Sequence, residues 1–283
     1  MPESFGDRLD AVLADRGQLC LGIDPHAFLL REWELPDTPG GVRDFSLRAV
    51  EAASGAVGIV KPQVAFFERH GSAGYAVLEE VLLAARSADL LVIADAKRGD
   101  VGSTVAAYGA SWLTPGSTLE ADAMTVSAYQ GVGSLAEVVG LASSHGKGLF
   151  ILAATSNPEA VETQTALRDR GEFAGWTVAA SIVSEVNQLN SEAIRLGSVG
   201  VVIGATVDAV DYGITDDRLL RTPILAPGFG EQGATLSDLP ELYGAVTPNV
   251  IANVGRGVLR AGAAGMRGEL LRQAEELREA LAR

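Results

Sequence analysis

The chain is 283 residues long, 47% apolar and 20% charged, which fits one large α/β domain or two small ones around a sizeable core. Its formal net charge of −14 argues against general affinity for nucleic acid or an anionic membrane surface, although a local cluster of cations can still hold a small anionic ligand. No apolar run is long enough to span a bilayer, and the single cysteine, Cys20, excludes an internal disulfide; with no signal peptide in view, the expected setting is reducing and cytoplasmic.

A helix is predicted over Ser4–Asp15, then a strand over Leu19–Ile23, where Cys20 reads as a small buried hydrophobe. The irregular stretch Pro25–Gly41 reads as a long loop. Strands follow over Val57–Val60 and Leu90–Ala94, with a helix over Tyr75–Ala88 between them. Further strands are predicted over Ala123–Val126, Gly148–Leu152, Val199–Ile203, Pro223–Ala226 and Val250–Asn253. Helices are predicted over Leu135–Ser143, Thr177–Leu196, Leu236–Leu242 and Met266–Ala282, and a second long loop over Thr155–Gly175. Short strands alternating with amphipathic helices argue for a parallel sheet, and eight such units in this length favour a closed (β/α)8 TIM barrel, read as a single domain over 1–283. His26, His70 and His145 are scattered without metal-ligand spacing and read as surface or loop residues.

Barrels of this kind carry their chemistry at the carboxyl ends of the strands. Charged and polar residues fall there repeatedly: Asp24 after the first strand, Lys61 after the second, Asp95, Lys97, Arg98 and Asp100 after the third, Ser127 and Gln130 after the fourth, Arg256 after the eighth. Each has a plainer reading: Asp24 before Pro25 as a turn former, Lys61 as a snorkelling surface residue, and the 95–100 group as an ion-pair network closing the barrel. Yet the chain has only three lysines, Lys61, Lys97 and Lys147, and two of them sit at these ends. An ammonium can release a proton where a guanidinium cannot, so an arginine-rich chain that keeps Lys97 points to acid chemistry. Asp95 and Lys97 are two apart and face one side of the strand, where alternating charges compensate one another and set each other's ionisation.

After the seventh strand, Gly228, Gly230 and Gly233 match G-x-G-x-x-G. A dinucleotide site is disfavoured, because that fingerprint should open the first βαβ unit and the next strand here ends at Asn253 rather than an acid. The better reading is a phosphate site built from the loops after strands seven and eight, with backbone N–H groups from both glycine runs, Gly255 included, and a bidentate grip from Arg256.

These residues resemble the orotidine 5'-phosphate decarboxylase family, in its longer bacterial subgroup (type 2). The resemblance spans nearly the whole chain and is carried by LGIDP (Leu21–Pro25), VKPQVAFFE (Val60–Glu68), DAKRGDVGST (Asp95–Thr104), TSNP (Thr155–Pro158), VIGAT (Val202–Thr206), PGFGEQG (Pro227–Gly233) and NVGRG (Asn253–Gly257). It implies decarboxylation of orotidine 5'-monophosphate to UMP, in de novo pyrimidine synthesis, without metal or organic cofactor. It implies an alternating array of Lys61, Asp95, Lys97 and Asp100, in which Lys97 protonates C6 and Asp95 lies near the substrate carboxylate. Lys61 would orient Asp95 and contact ribose. Asp24 and Thr104 would bind ribose hydroxyls, and Gln232 and Arg256 the phosphate. The family is dimeric, so Asp100 and Thr104 are expected to reach the neighbouring subunit's site in a homodimer.

Two departures stand out. The subgroup usually has Asn-Pro-Tyr after strand four, where this chain has Ser127, Ala128 and Tyr129; Ser127, then Gln130, then the Thr155–Pro158 loop are the alternatives for reading the pyrimidine amide edge. A basic residue commonly precedes TSNP, and here it is Ala154. Two rival readings remain: a metal-dependent hexulose-phosphate type aldolase sharing D-x-K-x-x-D, and a non-catalytic ligand-binding barrel. The KPQ and Gly-Glu-Gln-Gly elements favour the decarboxylase over the first, and an acid between carboxylates disfavours the second.

Overall fold

In the computed structural model, which describes residues 2–231 and 233–282, eight parallel strands pair in sequence order and the last returns to the first. They are β1 Leu19–Ile23, β2 Ile59–Pro62, β3 Leu91–Arg98, β4 Ala123–Val126, β5 Gly148–Ala154, β6 Val199–Ile203, β7 Ile224–Pro227 and β8 Val250–Val254. The expected closed (β/α)8 barrel is the fold. The helices among the described residues begin with α1 Phe5–Arg16, α2 Ala27–Glu32, α3 Pro39–Ala53, α4 Ala65–Glu68, α5 Gly71–Ser87 and α6 Gly102–Leu113. They continue with α7 Ala136–His145, α8 Val161–Gln164, α9 Val178–Leu189, α10 Leu239–Tyr243, α11 Arg256–Leu259 and α12 Gly262–Leu281. None of them is long and apolar enough to cross a membrane.

Three elements differ instructively from the sequence reading. The stretch 25–41, expected as loop, carries α2 and opens α3, whose cap is a side-chain bond: Thr38 Oγ1 accepts from the Gly41 N–H, with Pro39 at the first helical position. The helix expected over Thr177–Leu196 stops at Leu189, because Asn190 turns its amide onto β6, donating to the Val199 carbonyl at 2.7 Å and accepting from its N–H. Strand β3 runs on through Arg98 instead of ending at Ala94, so the charged residues belong to the sheet.

The apolar residues form two shells. One lies between the strands and the outer helices. The other fills the barrel itself: Cys20, Ile59, Leu91, Ile93, Phe150, Val202, Leu225 and Ile251 point to the axis. Helix α1 closes the foot of this inner shell with Phe5, Leu9 and Leu13. Phe5 meets Phe150 edge to face at 6.0 Å between ring centroids. Glycine at 148 makes room for it, since a Cβ there would come within 2.2 Å of the Phe5 ring. Cys20 is fully buried in this shell, and burial pushes its thiol up to about 12, which leaves it inert at neutral pH. The third lysine, Lys147, also lies at the foot, buried against Glu120 at 2.8 Å, near the Arg8–Asp122 pair at 2.7 Å.

Replacing Phe5 by alanine removes the plug's largest contact, and we expect a loss of about 3–5 kcal/mol, read as a lowered urea midpoint. A loss within about 0.5 kcal/mol, the range of ordinary surface changes, would mean that α1 is not part of the core.

Candidate active site

Alternate positions on each strand face the barrel axis. Low in the barrel these are apolar: Cys20, Ile59, Leu91, Ile93, Ala123 and Ile251. One or two steps further toward the carboxyl end, the same faces carry Lys61 on β2, Asp95 on β3, Thr125 on β4 and Asn253 on β8. Carried just past the strands, they reach Asp24, Gln63 and Gly255. The switch from apolar to polar along a single face creates the floor of a cavity of about 480 Å³, within the range that takes a nucleotide-sized ligand. A second cavity of about 510 Å³ lies at the opposite end, between α1 and α12, and contains no comparable charge cluster.

The centre of the floor is Asp95. Its side chain is only 9% exposed, and it takes Lys61 Nζ on Oδ2 at 2.8 Å and Lys97 Nζ on Oδ1 at 2.5 Å. Thr125 Oγ1 donates to Asp95 Oδ1 at 2.8 Å and accepts the Lys97 backbone N–H at 2.9 Å. Gln63 completes the ring: with its amide turned to satisfy both neighbours, the nitrogen donates to Asp95 Oδ2 and the oxygen accepts from Lys97 Nζ at 3.1 Å. Burial alone would raise the Asp95 carboxyl, but the two ammonium groups outweigh it and hold it well below the usual carboxylate range. Burial would likewise lower Lys61; Asp95 and Asp24 reverse that and keep its ammonium above the ordinary lysine value. Both groups are therefore charged at neutral pH.

Lys97 differs from Lys61 in two respects. Its side chain is 46% exposed, at the cavity wall, where Lys61 is 5% exposed. Its backbone is left-handed, with φ of +47°, a conformation that costs a non-glycine residue about 1–3 kcal/mol. The cause is a shift in the register of β3 against β4 between Ala94 and Arg98. That irregularity turns the Lys97 side chain back along the strand onto Asp95.

Of the other residues singled out in the sequence, Asp24, Gly255 and Arg256 line the same cavity. Asp24 Oδ1 and Asn253 Oδ1 are buried there without a hydrogen-bond partner among the described residues. Asp100 does not line it; its Oδ1 accepts the Val101 N–H at 2.8 Å, beyond the end of β3. Thr104 is exposed on the first turn of α6. Ser127 is also outside the lining. Its N–H donates to the Arg98 carbonyl, and Gly99 lies over it so closely that a Cβ there would come within 2.4 Å of the Ser127 carbonyl. Gln130 is exposed, whereas Thr155, Ser156 and Asn157, at the end of β5, do line the cavity. Gln232 lies outside the described residues. Among the described residues, no group of three or more His, Cys, Asp or Glu is placed to hold a metal ion. The sequence assigns no role to Gln63, which stands in it only as part of the KPQ motif, or to Thr125, although both sit on the inward alternation of their strands.

A lysine–aspartate–lysine array at the carboxyl end of a parallel barrel, beside glycine-rich loops after the last two strands, defines a barrel enzyme built for an anionic small molecule. Sequence relatives make the class specific. The chain belongs to the orotidine 5'-phosphate decarboxylase / HUMPS family, whose family model matches residues 17–267. It is 50% identical to an orotidine 5'-phosphate decarboxylase of a Nocardioides species over 90% of this chain and 92% of that one. It is 51% identical to that of Streptomyces coelicolor over 92% and 91%. A crystal structure from Streptomyces avermitilis, assigned to the same activity, superimposes with a TM-score of 0.93 at 48% identity, covering 99% of this chain and 97% of the other. The Leishmania donovani OMP decarboxylase does so with a TM-score of 0.78 at 28% identity, covering 99% of each.

Asp95→Asn would leave Lys61 charged and buried without its counter-ion, and we expect a loss of about 3–5 kcal/mol at neutral pH. The depressed Asp95 pKa gives stability that is present above its unfolded value and fades as pH falls through the folded one. The raised Lys61 pKa gives stability that is present below its unfolded value and fades as pH rises through the folded one. The difference in urea midpoint between parent and variant should therefore be greatest near neutral pH, shrink in acid solution as Asp95 of the parent is protonated, and shrink again toward the ordinary lysine value, where burial lets the unpaired Lys61 of the variant lose its proton. A difference that grew on acidification would contradict the pairing.

Proposed function

We propose that the protein decarboxylates orotidine 5'-monophosphate to UMP, with Lys97 as the proton donor. The observation that carries this reading is Asp95, buried between Lys61 and Lys97, with the Lys97 ammonium at the wall of a nucleotide-sized cavity. Breaking the C6–carboxylate bond leaves its electron pair in the plane of the pyrimidine ring, where no conjugated sink exists. The Lys97 ammonium stabilises that charge and passes a proton to C6, becoming an amine that solvent reprotonates. Because Asp95, Gln63 and Thr125 already hold Lys97 by its ammonium and its backbone N–H, little reorganisation is needed at the moment of reaction.

The remaining roles are those the family resemblance implies, supported for the described residues by which of them line the cavity. Asp95 lies near the departing carboxylate, and Lys61 orients Asp95 and contacts ribose with Asp24. Arg256, Gly255 and Gln232 bind the phosphate, and contacts so far from C6 contribute to the chemical step when they draw the site together. The amide edge of the base is read by the Thr155–Asn157 segment, which lines the cavity, in place of Ser127, which does not. Asp100 and Thr104 act in the site of a second subunit of a homodimer, since neither reaches the cavity of its own chain.

Lys97→Ala should abolish the absorbance change of orotidine 5'-monophosphate, assayed with EDTA present, while UMP binding falls far less. Equal losses of turnover and binding would remove the chemical role, and loss of parent activity in EDTA would favour a metal-dependent aldolase. Mixing offers a separate check on the dimer. Lys97→Ala and Asp100→Asn chains, each inactive alone, should regain activity when refolded together, because half of the sites in each mixed dimer then carry both native residues. Absence of any recovery in mixed dimers would place Asp100 outside the neighbouring site.

A further inference from the structure

We propose that Arg98 is a positioning residue that holds Lys97 in its left-handed conformation and fixes the spacing of the two lysines about Asp95. The inference rests on Lys97 being the proton donor, and it concerns a residue that does not itself line the cavity.

Left-handed backbone at a lysine persists only where its surroundings over-determine it. On one side of Lys97 the restraint is the bond from its N–H to Thr125. On the other side it is Arg98, which resumes the pairing with β4 opposite Val126. The Arg98 guanidinium then folds back across the strained residue: Nη1 donates to the Ala96 carbonyl at 3.1 Å, so one side chain clamps the peptides on both sides of Lys97. Its Nη2 points the other way, donating to Glu68 Oε1 at 3.0 Å and to the Tyr75 hydroxyl at 3.2 Å. Tyr75 donates in turn to Glu68 Oε1 at 2.9 Å, and the guanidinium carbon lies 5.8 Å from the centroid of the Tyr108 ring.

These partners are not scattered. Glu68 ends α4, the short helix that continues from β2 just after Lys61 and Gln63. Tyr75 lies on α5 and Tyr108 on α6. The Arg98–Glu68 bond thus ties the strand end bearing Lys61 and Gln63 to the strand end bearing Asp95 and Lys97. A guanidinium suits the position because its rigid fork donates in two directions at once, which an ammonium on a flexible stem does poorly. The bland alternative is an ordinary half-exposed ion pair, which would contribute little.

The three lysines make a direct test practical. In protein labelled with 13C and 15N at lysine, only Lys61, Lys97 and Lys147 give signals, and the Lys97 ε-methylene signal is identified by its loss in Lys97→Ala. In Arg98→Met we expect that signal to move and broaden while Lys147 stays unchanged. We expect kcat to fall on the order of 100-fold with KM changed by less than about threefold, the pattern of a misplaced catalytic group. Glu68→Gln keeps the contact to Ala96 and weakens the tether to α4; it should give a smaller kcat loss in the same direction, and serves if Arg98→Met does not fold. An unchanged Lys97 signal with unchanged kcat would overturn the inference. So would a kcat loss matched by a KM rise and a lowered melting temperature with the Lys97 signal in place, since that is general destabilisation. If parent protein failed to act on orotidine 5'-monophosphate while the Lys97 signal still moved in Arg98→Met, the positioning would stand and the proposed reaction would fall.

Discussion

A carboxylate taken out of water between two ammonium groups governs the architecture around it. Asp95 is too buried to remain charged alone, and Lys61 is more buried still. Desolvating such groups costs several kcal/mol each, and attraction repays the cost only when geometry is good and the spare hydrogen-bonding sites are filled. Each requirement is met by an identifiable residue. Lys61 and Lys97 take one oxygen each, Thr125 and Gln63 add a further donor to each oxygen, and the barrel wall keeps solvent from the other sides. The strained turn at Lys97 belongs to the same solution. A regular strand would direct that side chain without bending it onto Asp95, and the register shift against β4 supplies the bend.

The barrel makes this arrangement possible by separating two jobs along one face. Below the array, α1 and the inner apolar residues form a dry plug, with Phe5 and Phe150 at its base. The plug lowers the local dielectric beneath Asp95, which strengthens the interactions above it. It also provides hydrophobic stabilisation against which the strain at Lys97 and the desolvation of Lys61 are small. The net charge of the chain is −14, yet the cavity sets Lys61, Lys97 and Arg256 against Asp24, Asp95 and Glu231, so its own lining is balanced in charge and does not share the acidity of the chain as a whole.

How much of this could be read from sequence differs by kind of feature. Strands β1, β4 and β6 fall where their apolar, β-branched runs indicate. Strand β3 looks shorter in sequence than it is, because alternating charges resemble a loop until the barrel interior is known to pair them. Helix α3 begins inside an apparent loop, since its signal is the Thr38–Pro39 cap and not an apolar stripe. The charged members of the site, Lys61, Asp95 and Lys97, stand out because ionic residues at the ends of buried strands demand an explanation. The part played by Gln63, beyond its place in the KPQ motif, and by Thr125 does not stand out, because neutral polar residues at such ends are ordinary and only the fold shows that they share the partners of Lys97. Ser127 shows the converse. It has the right alternation, but the bulge that bends Lys97 also brings Gly99 down over it. A left-handed lysine leaves no trace in composition or periodicity.

The distribution of charge within one chain bears on assembly. Lys61 is enclosed, but Lys97 meets Asp95 on one side and only the neutral Gln63 amide on another, with nearly half its side chain exposed. The alternating array proposed for this site would place a second carboxylate on that open flank. Asp100 has the right charge and is only three residues away in sequence, yet the chain turns outward after Gly99 and its carboxylate caps Val101 instead. Left-handed backbone at Lys97 and the entry into α6 at Gly102 together send Asp100 and Thr104 toward the rim. The same bend that gives Lys97 its contact with Asp95 therefore removes Asp100 from its own site. This supports the proposal that Asp100 acts in a second subunit's site, and it ties that proposal to the backbone conformation of a single lysine.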